Sequence, residues 1–147
     1  MKFHRYKAVL AVVLCSQFAE SDDLLAKTER LVADNSKPVK LAGGFKFTEG
    51  PAADGKGDVY FTDIPNNRIH KWSAGDKKLS TFIENSGGAN GLYFSKEGDI
   101  YACLGEKRCV TSFYLEDGTE KELVGDQFDG RPFNKPNDLW IHPNGGI

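Results

Sequence analysis

Asn90-Gly91-Leu92-Tyr93-Phe94, followed by Gly98-Asp99-Ile100-Tyr101-Ala102, is the stretch on which the fold turns. Two short runs rich in aromatic and branched residues flank Lys96-Glu97-Gly98, so it reads as strand, turn, strand. The same text stands earlier as Glu49-Gly50-Pro51 with Gly57-Asp58-Val59-Tyr60-Phe61. It returns later as Asn137-Asp138-Leu139-Trp140-Ile141 with Gly145-Gly146-Ile147. Glu49 and Asn90 are 41 residues apart and Asn90 and Asn137 are 47 apart; Gly57, Gly98 and Gly145 repeat both steps. A period in the forties with several strands per unit is the sequence mark of β-propeller blades.

Outward from that stretch, the same texture continues. Val59–Thr62, Arg68–Trp72, Leu79–Ile83, Leu92–Phe94, Ile100–Cys103, Val110–Leu115 and Leu139–Ile141 are strand-like,. Turn signals separate them at Asp54-Gly55, Asn66-Asn67, Ala74-Gly75-Asp76, Asp117-Gly118 and Asn144-Gly145,. No segment after Pro38 keeps a helical period, so the expected fold class is all-β, a β-propeller,. A blade needs about four strands and a ring about four to eight blades. Residues 41–147 therefore hold about two and a half blades, and the sequence reads as the N-terminal part of a larger, truncated ring.

The remainder of the 147 residues carries a different pattern. Lys2, Arg5 and Lys7 precede the apolar run Ala8–Leu14, which is too short for the ~20 residues a bilayer span needs,. A basic start, a short apolar core and the polar exit Glu20-Ser21-Asp22-Asp23 predict a secretory signal peptide over residues 1–19 and a secreted or periplasmic protein,. Cleavage falls best after Ala19, and lipidation at Cys15 is a competing reading,. After leader removal no membrane contact is expected. Residues 20–40 read as a lead-in helix or tether, with apolar positions at Leu24, Leu25, Leu31 and Val32.

Net charge is −2, from 19 basic and 21 acidic residues, which gives no electrostatic reason to expect a nucleic-acid partner,. Cys103 and Cys109 flank a possible hairpin loop; in an oxidising compartment they could pair or could stay as packed thiols,. Their spacing fits no zinc pattern. His70 and His142 lack a paired ligand or nucleophile motif and read as surface or turn histidines. Asp63, before Pro65-Asn66-Asn67, reads as a structural turn contact, and Trp72 and Trp140 as core between blades.

The first strand of each blade lines the central channel of a propeller, so residues at one repeat position converge. That position holds Glu49, Asn90 and Asn137, with Asp138 beside the last. Carboxylate and amide oxygens from several strands suit a hard cation such as Ca²⁺. Alternatively, such residues at strand starts satisfy local backbone groups or form Asx-turns.

Phe47-Thr48-Glu49-Gly50-Pro51, Tyr60–Ile69, Ala89-Asn90-Gly91-Leu92 and Phe133–Leu139 together resemble the gluconolactonase/senescence-marker-protein (regucalcin-like) family. The resemblance covers about Leu41 to Ile147, with the motifs in the family's order and spacing. It implies a six-bladed propeller holding one divalent metal, usually calcium, with Glu49 and Asn137 as ligands. Asn90, Asn137 and Asp138 would bind a small-molecule lactone. The catalytic base is expected beyond residue 147, so this stretch alone is expected to be inactive. Lys135 stands where some members carry an arginine. The implied activity is metal-assisted opening of a sugar lactone by water. A related esterase or phosphotriesterase, or a non-catalytic propeller that binds a ligand or protein, are the alternatives.

Overall fold

The computed structural model describes residues 35–147. The chain divides into two units, Met1–Leu41, whose residues 35–41 carry no strand or helix, and Ala42–Ile147. The expected leader with Cys15, and the helix expected after Asp22, lie outside the described residues.

The second unit is built from two four-stranded antiparallel sheets, each meandering from inner to outer strand. The first comprises β1 (Thr48–Ala53), β2 (Val59–Asp63), β3 (Arg68–Ser73) and β4 (Lys78–Glu84). The second comprises β5 (Ala89–Phe94), β6 (Ile100–Leu104), β7 (Cys109–Phe113) and β8 (Glu120–Gly125). These are two propeller blades, and a short hairpin, β9 (Gln127–Phe128) with β10 (Arg131–Pro132), leads towards the start of a third. Among the described residues the only helical element is a single 3-10 turn, Ile64–Asn66.

The repeat is visible at the level of single hydrogen bonds. At the same point of each repeat the chain reverses through the same five-residue turn, at Asp54–Asp58, Ser95–Asp99 and His142–Gly146. In each, the first N–H donates to the fifth carbonyl and the fourth N–H returns to the first carbonyl, at 2.7–3.1 Å. The fourth residue is glycine at φ +87°, +91° and +91°, a region that costs side-chain-bearing residues energy,. The first side chain accepts the third residue's N–H in every case: Asp54 Oδ1 from Lys56 (2.8 Å), Ser95 Oγ from Glu97 (3.2 Å) and His142 Nδ1 from Asn144 (3.2 Å).

The third repeat departs from expectation just before its turn. Leu139–Ile141 does not form a strand, because no described segment offers it a ladder partner,. Trp140 is 58% exposed for the same reason, rather than lying in the core. The six extra residues in the second repeat interval are accommodated by the β9–β10 hairpin. Asp129 and Gly130 at its tip both have positive φ, as a tight two-residue hairpin turn requires,.

The core lies between the blades. Tyr60, Ile69 and Ile83 from the first blade meet Ala89, Leu92, Ile100, Ala102, Leu104 and Phe113 from the second. Phe82 and Phe94 stand edge-on to the Tyr60 ring at 5.1 and 5.3 Å. Each large apolar side chain buried there contributes roughly 1.5–3 kcal/mol. His70 is buried in β3, tilted against Phe45 and Phe61, and is not the surface or turn histidine the sequence suggested. His142 does lie on an exposed turn.

Cys103 and Cys109, the two cysteines among the described residues, are free thiols and both are buried. Cys103 stands opposite Val110, and Cys109 opposite Leu104. Residues opposite each other share a face and neighbours along a strand alternate, so the two sulfurs project from opposite faces of the sheet. Burial, aided by the nearby Asp138 and Cys109, pushes the Cys103 thiol up to about 11.

Candidate functional site

Glu49, Asn90 and Asn137 line one cleft of about 320 Å³, together with Gly50, Gly91 and Asp138. The repeat position identified in the sequence therefore does bring its polar residues together. Asn90 Nδ2 donates to Asn137 Oδ1 at 2.7 Å across the boundary between the second blade and the third segment. Asp138 Oδ1 accepts its neighbour's N–H, from Leu139, at 2.9 Å and rests against Gly91.

Two glycines make this convergence possible. A Cβ on Gly50 would sit 2.1 Å from the Asn90 carbonyl oxygen, and one on Gly91 would sit 2.3 Å from Asp138 Oδ1 and 2.6 Å from its Cα. Successive inner strands thus approach backbone to backbone. Gly91 N–H donates to the Asn137 carbonyl at 2.8 Å, which fixes the second of these approaches.

Glu49 is placed from below by β2. It pairs with Thr62, and Thr48 pairs with Asp63; Thr62 and Asp63 are both completely buried. Asp63 accepts the N–H groups of Lys46 (3.2 Å) and Phe47 (3.1 Å) and the Asn66 amide (2.7 Å). Burial raises its pKa, but the bonds from Phe47, Asn66 and Lys46 outweigh that and hold the carboxyl below its ordinary value,. Asp63 is the structural contact the sequence suggested. On the same side of the blade, Asn67, in the left-handed conformation, accepts Ser86 Oγ–H (3.0 Å) and Gly88 N–H (2.9 Å) and so anchors the linker into β5.

Among the described residues no group of three His, Cys, Asp or Glu side chains converges as a metal cluster. The cleft offers carboxylate and carboxamide oxygens instead, with no imidazole or thiol facing it.

Repeating four-stranded blades with a polar cleft at their inner strands define a propeller-type protein. Residues 47–147 match the profile of the SMP-30/gluconolactonase/LRE-like region. The chain belongs to that family. It is 27% identical over 132 residues to a gluconolactonase of Zymomonas mobilis, covering 79% of this chain and 36% of that protein. A crystal structure assigned as a gluconolactonase superposes with a TM-score of 0.70 at 34% identity, covering 77% of this chain and 39% of that one. A gluconolactonase from Xanthomonas campestris (TM-score 0.66, 23% identity, 71% and 35% covered) shares the fold. So does a calcium-binding regucalcin from Agrobacterium tumefaciens (TM-score 0.56, 18% identity, 69% and 36% covered). The chain spans little more than a third of the length of these relatives.

Proposed function

We propose that these blades belong to a calcium-dependent lactonase-type hydrolase that opens a sugar lactone. The observation that carries this reading is the convergence of Glu49, Asn90 and Asn137, from three successive repeats, on one cleft. Family membership supports a lactone hydrolase, and the identity to the gluconolactonases supports a sugar lactone as substrate.

The donor set fits a divalent cation of calcium type. Such ions take carboxylate and amide oxygens in flexible numbers, and Asn137 Oδ1, which accepts one bond from Asn90, carries a second lone pair,. Glu49 and Asn137 would hold the ion. When bound, calcium supplies a Lewis acid that polarises the ester carbonyl.

The chain's own residues would do the rest of the binding. The carboxamides of Asn90 and Asn137 present both donors and acceptors to sugar hydroxyls, with Asp138 as a further polar contact at the cleft edge. Their mutual hydrogen bond holds both side chains in place before substrate arrives, which lowers the entropy cost of binding,. Water adds to the carbonyl carbon and the ring C–O bond breaks, leaving a hydroxy acid that releases one proton near neutral pH. We propose that the base accepting the water's proton comes from further blades, a reading supported by the chain spanning little more than a third of its relatives' length. The basic start and apolar run of residues 1–14 support export of the protein,.

The test is proton release from D-glucono-1,5-lactone, followed with a pH indicator, in the intact protein with and without a chelator. Glu49→Gln should abolish calcium-dependent turnover while leaving the thermal transition of the calcium-free protein in place. Retained turnover in that variant would remove Glu49 from the site. Calcium binding with no lactone opened would favour a binding propeller.

A further inference from the structure

Thr62 links the strand beside Glu49 to the backbone of Asn90 across the first blade boundary. It is wholly buried, pairs with Glu49 across β1 and β2, and donates its Oγ1 hydrogen to the Asn90 carbonyl of the next blade at 3.1 Å. That carbonyl is the atom against which Gly50 packs. Thr62 thus ties the strand beside Glu49 to the backbone of Asn90.

The second boundary solves the same problem differently. Counting 41 residues on from Thr62 gives Cys103, also buried, on the strand beside Asn90. A thiol is a weak donor. There the equivalent carbonyl, that of Asn137, takes the Gly91 N–H instead. A backbone donor serves one boundary, and a side-chain hydroxyl serves the other.

We propose that Thr62 is a positioning residue of the cleft, whose hydroxyl sets the separation of Glu49 from Asn90. The proposal rests on reading the cleft as a cation and lactone site. Thr62 touches neither ion nor substrate; it acts through the Asn90 backbone. Groups that hydrogen-bond a metal ligand directly commonly change affinity about 10- to 100-fold when removed; Thr62 acts one step further out, through Asn90 to Asn137, so the lower end of that range is expected.

Thr62→Cys places at this position the residue that the second blade already tolerates, so the fold should survive; Thr62→Val is the isosteric second choice, and Thr62→Ser restores the donor. Calcium alone is titrated into the intact chelator-treated protein by calorimetry, and lactone KM and kcat are measured beside it. Thr62→Cys and Thr62→Val should weaken calcium binding about 10-fold, and Thr62→Ser should stay within about twofold of the parent. A lower melting temperature with calcium affinity and KM within about twofold of the parent would make Thr62 purely structural and overturn the proposal. A parent that neither binds calcium nor opens lactone would sink the functional reading itself, and the positioning role with it.

Discussion

Placing a methyl group on Gly50 separates two costs that usually travel together. Gly50 has φ +50°, and its added Cβ would meet Asn90 O at 2.1 Å, Gly91 Cα at 2.9 Å and Asn90 C at 3.0 Å. All three are backbone atoms, so no rotamer change relieves the contact. Gly57 is a matched control, with φ +87° and nothing within 4 Å of its added Cβ. The left-handed backbone costs an L-residue about 1–2 kcal/mol at either position. Overpacking adds about 1–3 kcal/mol at Gly50 alone. Gly50→Ala should therefore lose about 2–5 kcal/mol and Gly57→Ala about 1–2 kcal/mol. Urea unfolding of the intact protein, followed by tryptophan fluorescence, gives both values. Equal losses would refute the close approach of β1 to β5. Because Glu49 and Asn90 flank this contact, Gly50→Ala should also lose lactone turnover, whereas Gly57→Ala should keep it.

Two further outcomes follow from buried groups. Cys103 and Cys109 project from opposite faces, so peptide mass mapping without reductant should find no bond between them, and iodoacetamide at pH 8 should modify neither until the protein is unfolded,. Asp63 has its pKa lowered from an ordinary 3.8, so its contribution is present above that value and is lost as pH falls through the lower folded value,. Asp63→Ala should thus destabilise by about 2–4 kcal/mol at pH 7, from the loss of charge-assisted bonds, with the gap to the parent closing in strong acid. A gap independent of pH, read from melting temperatures between pH 2 and 7, would mean that the carboxylate charge contributes nothing.

Much of this architecture was legible because strand text and blade repeat agree. β2 to β7 follow aromatic and branched runs, and the turn glycines fix the period. The first strand of the first blade and the last strand of the second were harder. β1 contains Gly50-Pro51, which reads as a break, yet Pro51 falls at a register irregularity where no ladder N–H is required,. β8, Glu120–Gly125, is an exposed edge with charges on it and lacks the alternation that marks a half-buried strand,. The cysteine geometry depends on a hairpin register that spacing alone leaves open. At the site, Glu49, Asn90 and Asn137 were visible as three oxygen-bearing residues at one repeat position. Thr62 was not, since a threonine inside a strand reads as ordinary strand text. Its only signal was the contrast with Cys103 one repeat later, and that contrast acquires meaning once the Asn90 carbonyl is seen beside the hydroxyl.

Among the described residues no β-ladder crosses from one blade to the next, and this has a mechanical consequence. Each four-stranded sheet is internally laced, but its seam to the neighbouring blade is held by side-chain packing and a few bonds such as Thr62 to Asn90 and Gly91 to Asn137. Shear would open the seams before it frayed a sheet. The cleft straddles two of them, and anything lodged there grips three consecutive repeats at once. Its binding energy then adds directly to the cohesion of the seams, so occupancy should be readable as resistance to unfolding, growing with the logarithm of ligand concentration.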